Sequence, residues 1–291
     1  MDTRPRTSPL IVIVGQTASG KSSLALELAK QFDGEIICAD SRTIYQGMDI
    51  GTAKPSATER RQVRHHLLDV TTPDQAFSAA QFKAQANQAI TDIADRGKVP
   101  IMVGGTGLYI DAVLFDFQFS SSPNLAERQK LQALSIEELQ DEVLKRGLEL
   151  PYNDKNPRHL MRLLETGGVS QAKSALRAHT LVLGLEVPRD DLLQRITTRV
   201  DDMMDRGFVN EVKTLAGKYG WDAPGLQAPG YKAFRSYIQG TTLLQQAKDE
   251  FIKNDMLLSK KQRTWFSRNH SIHWVADPRA AVEIVTTFLS K

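Results

Sequence analysis

The apolar run Leu10-Ile11-Val12-Ile13-Val14 has neither the alternation of a half-exposed strand nor the length of a membrane helix. It predicts a strand buried on both faces, as in parallel sheets. Leu24, Leu26, Leu28 and Ala29 follow at helical spacing. The strand signal returns at Ile36-Ile37-Cys38-Ala39, at Val99-Pro100-Ile101-Met102-Val103 and at Leu181-Val182-Leu183-Gly184-Leu185, and a helical stretch runs from Phe77 to Arg96, begun by Ser78, Ala79, Ala80 and Phe82. Strands alternating with helices predict an α/β fold. Residues 117–178 break that alternation. Ser120-Ser121-Ser122-Pro123 opens a stretch that reads entirely helical, in which Ser135 and Glu138 form a capping box and Ile136, Leu139, Val143 and Leu144 supply the apolar stripe. Because a core strand resumes at Leu181, this segment is expected to interrupt the α/β fold.

Chemistry concentrates where the predicted strands end. Gly15-Gln16-Thr17-Ala18-Ser19-Gly20-Lys21-Ser22 has the spacing Gly-x4-Gly-Lys-Ser between a strand and a helix. There, backbone N–H groups converge on an anion at a helix N-terminus, Lys21 supplies a point charge and the Ser22 hydroxyl suits Mg2+. The expected architecture is therefore a P-loop NTPase-like parallel sheet core flanked by helices, residues 1–116 and 179–291, with an inserted all-helical domain, residues 117–178. The second strand delivers Asp40-Ser41-Arg42 and then a long loop through Gly47, Gly51 and Pro55. A carboxylate at that edge can hold magnesium through water, orient a nucleophile or accept a proton, and Asp-Ser before an apolar turn is equally a capping signal. The third junction, Gly104-Gly105-Thr106-Gly107, permits close backbone approach to a ligand, or is simply a tight turn.

Composition narrows the classes without choosing among them. The 291 residues, 41% of them hydrophobic, suffice for one large core or a core with a satellite domain. No apolar run is long enough to span a bilayer, and Met1 to Pro9 is polar with Arg4 and Arg6, so a cytoplasmic location with no membrane partner is expected. Cys38, the single cysteine, sits in an apolar segment and reads as a small buried hydrophobe. The adjacent His65 and His66 lack metal-ligand spacing. A net charge of +3 requires any polyanion to be met by local patches. In the last long helical pattern Lys253, Lys260, Lys261 and Arg268 share one face, with Phe251, Leu258, Trp265 and Phe266 on the other. That basic face suits phosphates, and equally a solvated surface.

Taken with Tyr45-Gln46-Gly47-Met48-Asp49-Ile50-Gly51-Thr52-Ala53-Lys54-Pro55 and His66-Leu67-Leu68-Asp69, the three junctions resemble, in order and spacing, the bacterial tRNA dimethylallyltransferases, also called tRNA isopentenyltransferases. The resemblance continues through Arg195-Ile196-Thr197-Thr198-Arg199, Gly207-Phe208, Glu211-Val212, Gly230-Tyr231-Lys232 and Lys261-Gln262-Arg263-Thr264-Trp265-Phe266. It implies transfer of a five-carbon prenyl group from dimethylallyl diphosphate to N6 of the adenosine 3′-adjacent to the anticodon. The loop Gly15 to Ser22 then holds a diphosphate leaving group rather than ATP, with Mg2+ at Ser22 and Arg199 on the same oxygens. Asp40 is implied as general base and Thr106 as a contact to the target base or the adjoining diphosphate. Asp40, Ser41, Arg42, Thr43, Thr106, Arg128, Arg158 and Arg162 are implied contacts to the tRNA anticodon stem-loop, and the protein is expected to act as a monomer. The chain departs from the family pattern at Pro229, His159, Met256 and Ser267, mainly on the RNA side. A P-loop kinase of small molecules, a prenyltransferase acting on free AMP and a non-catalytic RNA-binding module are the rival readings.

Overall fold

The computed structural model describes residues 8–119, 125–168 and 174–291. Residues 1–7, which hold most of the polar N-terminal stretch, and Ser120-Ser121-Ser122-Pro123 lie outside the described residues. The elements run β1 Leu10–Gly15, α1 Lys21–Gln31, β2 Gly34–Cys38, α2 Ala57–Gln62, β3 His65–His66, α3 Ala79–Asp95, β4 Val99–Val103 and α4 Gly107–Leu114. Next come α5 Leu125–Gln132, α6 Ile136–Lys145 and α7 Pro157–Thr166. The chain then continues through β5 Thr180–Leu185, α8 Arg189–Asp205, α9 Phe208–Tyr219, α10 Pro229–Ala233, α11 Arg235–Ile238, α12 Leu244–Phe266, β6 Ile272–Val275 and α13 Pro278–Leu289.

The strands form one six-stranded sheet in the order β3-β2-β4-β1-β5-β6, with every pairing parallel. Both faces are covered, which explains the unbroken apolar run of β1: Leu10 through Val14 are all fully buried. Ile11, Ile13, Ile36, Ile101, Val103 and Leu183 pack with Leu24 and Leu28 of α1 and with Ala281 and Val285 of α13. Helices α3 and α12 pack on β2, β4 and β1 as well. Each fully buried Leu, Ile or Val contributes roughly 1.5–3 kcal/mol, so the sheet supplies a stiff base for the loops at its edge.

A second apolar cluster gathers Ile44, Tyr45 and Met48 from the long loop after β2 with Phe208, Tyr231, Phe234 and Phe251 from α9, α10 and α12. Phe208 meets Tyr231 edge-on at 5.1 Å and Phe234 at the same centroid distance. An aromatic cluster thus fixes a loop of little regular structure. The chain divides into two compact units, Met1–Leu114 with Leu176–Lys291, and Phe115–Ala175. The second has its own small core of Leu131, Leu139, Val143, Leu160 and Leu164, and α6 starts at the capping box of Ser135 and Glu138.

Where β4 leaves the sheet, a Cβ built on Gly104 meets the Ala39 carbonyl oxygen at 1.9 Å, a backbone atom that no side-chain rotation can clear. Gly104→Ala should therefore force the ends of β2 and β4 apart and destabilise the protein by about 1–3 kcal/mol or more. A urea midpoint equal to that of the parent would show that this close approach is not a packing constraint.

Candidate functional site

In a parallel sheet, neighbouring strands release their chains at the same edge, and β2, β4 and β1 are neighbours in that order. From β1 the chain enters the Gly15–Gly20 turn, where Ala18 and Gly20 take left-handed φ values of 61° and 93°. Residues of alternating hand turn successive N–H groups toward one concavity, an anion-binding nest. Helix α1 then begins at Lys21. The Lys21 ammonium donates to the Gln16 carbonyl and lies 3.5 Å from Ser19 Oγ. A cavity of about 200 Å³ opens above this turn, and Lys21, Ser22, Asp40, Gly105, Arg199 and Gln262 are among the residues lining it. Burial pulls the Lys21 pKa down to about 8, against the stabilising charge of Asp40 and with some help from Arg199.

From β2 the chain delivers Asp40, whose Oδ1 accepts the Arg42 N–H at 2.8 Å. The carboxylate caps a tight turn and lines the cavity at once. Thr43 is buried on the cavity wall, while Ser41 and Arg42 are half-buried beside it. From β4 comes Thr106, whose Oγ1 accepts the Ser41 N–H at 2.9 Å while its own N–H donates to Ala39. That hydroxyl stitches the second and third junctions together, and an accepting hydroxyl still has a hydrogen to donate.

The long loop after Asp40 is held by two charged groups, one buried and one half-buried, that sequence reasoning did not single out. Lys54, 4% exposed, donates to the Tyr45 carbonyl at 2.8 Å and contacts Asp69 at 2.6 Å and Asp49 at 2.7 Å. Arg60 meets the other oxygen of Asp69 at 3.0 Å. These contacts hold Leu67 and Asp69 in left-handed backbone, φ 61° and 56°, uncommon for residues with a Cβ. Glu211 of α9 accepts the N–H groups of Asp49, Ile50 and Gly51 at 2.7–3.0 Å and the Tyr231 hydroxyl at 2.6 Å. Both residues belong to motifs quoted above, but nothing in their spacing reveals the partner each finds.

Helix α12 corrects an expectation. Its inner face is not the apolar set Phe251, Leu258, Trp265 and Phe266. The buried residues are Ala247, Phe251, Asp255, Ser259, Gln262 and Phe266, so a polar stripe faces the phosphate loop between two phenylalanines. Trp265 is 38% exposed, packs over Gly107 and donates from Nε1 to Asp111 at 3.1 Å. Gln262 Oε1 accepts the Thr17 N–H at 2.7 Å and the Thr17 hydroxyl at 3.2 Å, while its Nε2 donates to the Gly105 carbonyl at 3.2 Å. One amide thereby brackets the first junction and the third. Lys253, Lys260, Lys261 and Arg268 are exposed.

The remaining sequence candidates lie elsewhere or do other things. Arg128 and Arg162 belong to the inserted unit and both approach Glu165, at 3.6 and 3.5 Å; Arg158 is exposed at the start of α7. His66 pairs with Glu35 at 2.6 Å and His65 with the Val63 carbonyl at 2.8 Å. Cys38 is buried, its thiol pKa pushed up to about 12 by burial.

A family model described as IPP transferase matches residues 43–269. The tRNA dimethylallyltransferase of Anoxybacillus flavithermus is 39% identical over 278 residues, covering 91% of this chain and 89% of that protein. The Bacillus subtilis tRNA dimethylallyltransferase is 36% identical over 282 residues, covering 91% and 90%. Among solved structures, the tRNA isopentenylpyrophosphate transferase of Bacillus halodurans superposes with a TM-score of 0.75 at 33% identity, covering 98% of this chain and 96% of that one. A eukaryotic dimethylallyltransferase solved while acting on tRNA gives 0.82 at 26% identity, covering 98% and 80%.

The Lys21 pKa sets a pH window. Below about 8 the amine of the free protein carries its charge, and above it the charge is lost, so affinity for inorganic diphosphate should fall as pH rises through that value. Calorimetry at several pH values should register proton uptake on binding above pH 8 in the parent protein and none attributable to this group in Lys21→Met. A Kd with the same pH dependence in both proteins would contradict the assignment.

Proposed function

This chain belongs to the IPP transferase family, and we propose that it transfers the dimethylallyl group of dimethylallyl diphosphate to N6 of the adenosine 3′-adjacent to the anticodon in tRNA, releasing diphosphate. The observation that carries this reading is one cleft lined by a phosphate-loop lysine, a second cation and a carboxylate: Lys21, Arg199 and Asp40.

Each group has work that the reaction requires. Breaking the allylic C–O bond leaves its electron pair on diphosphate and positive character on the prenyl carbon. The N–H groups of the Gly15–Ser22 turn, Lys21 and Arg199 stabilise the departing oxygens, and fixed donors in a half-buried cleft do this without the reorganisation that water would need. The adenosine amine, conjugated with the purine ring, is a poor nucleophile. It forms the new C–N bond with its lone pair and must then shed one proton, which Asp40 accepts. Thr106, anchored to Ser41, would fix the acceptor beside Asp40. Thr43 lines the same opening, and with Ser41 and Arg42 just before it in the chain it suits the nucleoside flanks. Anticodon-loop bases are already partly unstacked, so presenting one to the cleft costs less than it would in a duplex.

The donor set at the cavity fits Mg2+. Ser22 exposes its hydroxyl on the cavity wall, and no cluster of metal-binding His, Cys, Asp or Glu residues stands among the described residues. Magnesium tolerates few protein ligands when substrate phosphates and water complete its shell. Held by Ser22, the ion would neutralise charge on the diphosphate oxygens.

For RNA, Arg128, Arg158 and Arg162 of the insert, and Lys253, Lys260, Lys261 and Arg268 on α12, are the cations available to backbone phosphates. We expect the protein to act as a monomer on this substrate.

Asp40→Asn should slow prenyl transfer by about two to four orders of magnitude while leaving diphosphate affinity nearly unchanged, because a general base acts only as the proton leaves. Single-turnover transfer of labelled dimethylallyl groups to unmodified tRNA measures the first, and calorimetry the second; a near-normal rate would remove Asp40 from the mechanism. Supplying free AMP in place of tRNA separates the acceptor classes, and label on AMP alone would overturn the tRNA assignment.

A further inference from the structure

The polar stripe of α12 contains a group that the mechanism above does not use. Asp255 is 5% exposed, and its Oδ2 has no hydrogen-bond partner among the described residues. On the adjoining α8, Arg199 Nε is likewise buried without a partner, and so is Ser259 Oγ one turn along α12. Burying charged or polar atoms without partners is costly, so such a cluster beside a cleft calls for a reason.

The two helices bring Asp255 and Arg199 to one place. Ile196, one turn before Arg199, packs with Ile252 and Met256, which flank Asp255 on α12, and with Ala18 of the phosphate loop. Two residues past Arg199, Asp201 holds Lys248 of α12 at 2.5 Å, which fixes the register of the pair. Arg199 also lines the cavity above Lys21.

We propose that Asp255 is a positioning residue for the donor diphosphate: its carboxylate restrains the Arg199 guanidinium from the α12 side, so that Arg199 is already oriented in the cleft when the anion arrives. The inference rests on the diphosphate-binding reading of the cleft. A guanidinium with no fixed partner samples many rotamers, and ordering it on binding consumes affinity. A buried carboxylate nearby biases that ordering through its charge, without a hydrogen bond between the two side chains.

The electrostatics agree. Burial raises the Asp255 pKa to about 6; Arg199 opposes the rise and Asp40 adds to it. The charges facing Asp255 are therefore Arg199 from α8 and Asp40 from the end of β2, with Lys21 acting on the same cluster across the cavity. Elsewhere along α12 the neighbours are Gly230 of α10, packed on Phe251, and Asp111 of α4, bonded to Trp265. Restraint by Asp255 is available above about pH 6 and fades as the carboxyl protonates below it.

The test is a double-mutant cycle on inorganic diphosphate binding in the presence of Mg2+, using the full chain and the nearly isosteric Asp255→Asn with Arg199→Gln. At pH 7.5 Asp255→Asn should weaken binding about tenfold, and in the Arg199→Gln background it should cost almost nothing further, because the pair acts as a unit. Between about pH 7 and pH 5 the parent should lose more affinity than Asp255→Asn does, the excess over the loss that protonation of diphosphate itself causes in both; Arg199→Gln, which lacks the partner, should show the same reduced slope and keeps the test open if Asp255→Asn folds poorly. In steady state the variant should raise KM for the prenyl donor more than it lowers kcat. Equal affinities for parent and Asp255→Asn, or additive losses in the cycle, would overturn the proposal while leaving the donor site intact. A parent that binds no diphosphate would instead remove the functional reading on which it stands.

Discussion

Everything in this protein's cleft depends on the direction in which its strands run. Because all pairings are parallel, the loops after β2, β4 and β1 leave at one edge, and adjacent strands lie only about 4.8 Å apart. Residues far apart in the chain, such as Lys21, Asp40 and Gly105, thus share one cavity without any of them belonging to a specialised subdomain. The glycines at the exits let the backbones approach closely enough for this to work. The bond that the Ser41 N–H donates to Thr106 and the Gln262 bracket then convert proximity into fixed geometry.

A second constraint is electrostatic. A site that receives a highly charged anion must keep cations together before the anion comes, in a cleft that penalises them for being charged. Here Lys21 already feels that penalty, and Arg199 adds to it. Asp40 opposes it from the β2 side, and behind the cleft the buried Asp255 of α12 feels the Arg199 charge. Asp40 thus steadies the lysine in the free protein while its own carboxylate lines the same opening.

Much of this architecture is legible in the amino-acid sequence, for reasons that can be named. The buried run of β1, the spacing from Gly15 to Ser22 and the apolar approach to Asp40 and Gly104 are local patterns governed by local rules. The return to a core strand at Leu181 marks the insert in the same way. What cannot be read locally are partnerships across the fold. The short β6 carries only two buried residues, Ile272 and Val275, and has no apolar run to announce it. In α12, Asp255, Ser259 and Gln262 lie on the inner face because the phosphate loop, a polar surface, is what that face covers. A helical wheel that assumes an oily interior therefore turns Trp265 inward by mistake. Lys54 and Glu211 were visible as residues of a motif, but their roles, pinning a strained turn and collecting three loop amides, appear only once distant elements are in place.

That separation governs how the molecule can come into being at the ribosome. Glu211 lies 160 residues beyond Gly51, and Gln262 lies 245 beyond Thr17. A nascent chain that has emitted β1, β2 and β4 already possesses the phosphate loop and its carboxylate, yet lacks the braces that hold them. Contacts of such long range close slowly because loop entropy must be lost first. The cleft is consequently among the last parts of the protein to mature during translation, and a chain released before α12 would carry the signature residues without the amide that brackets them.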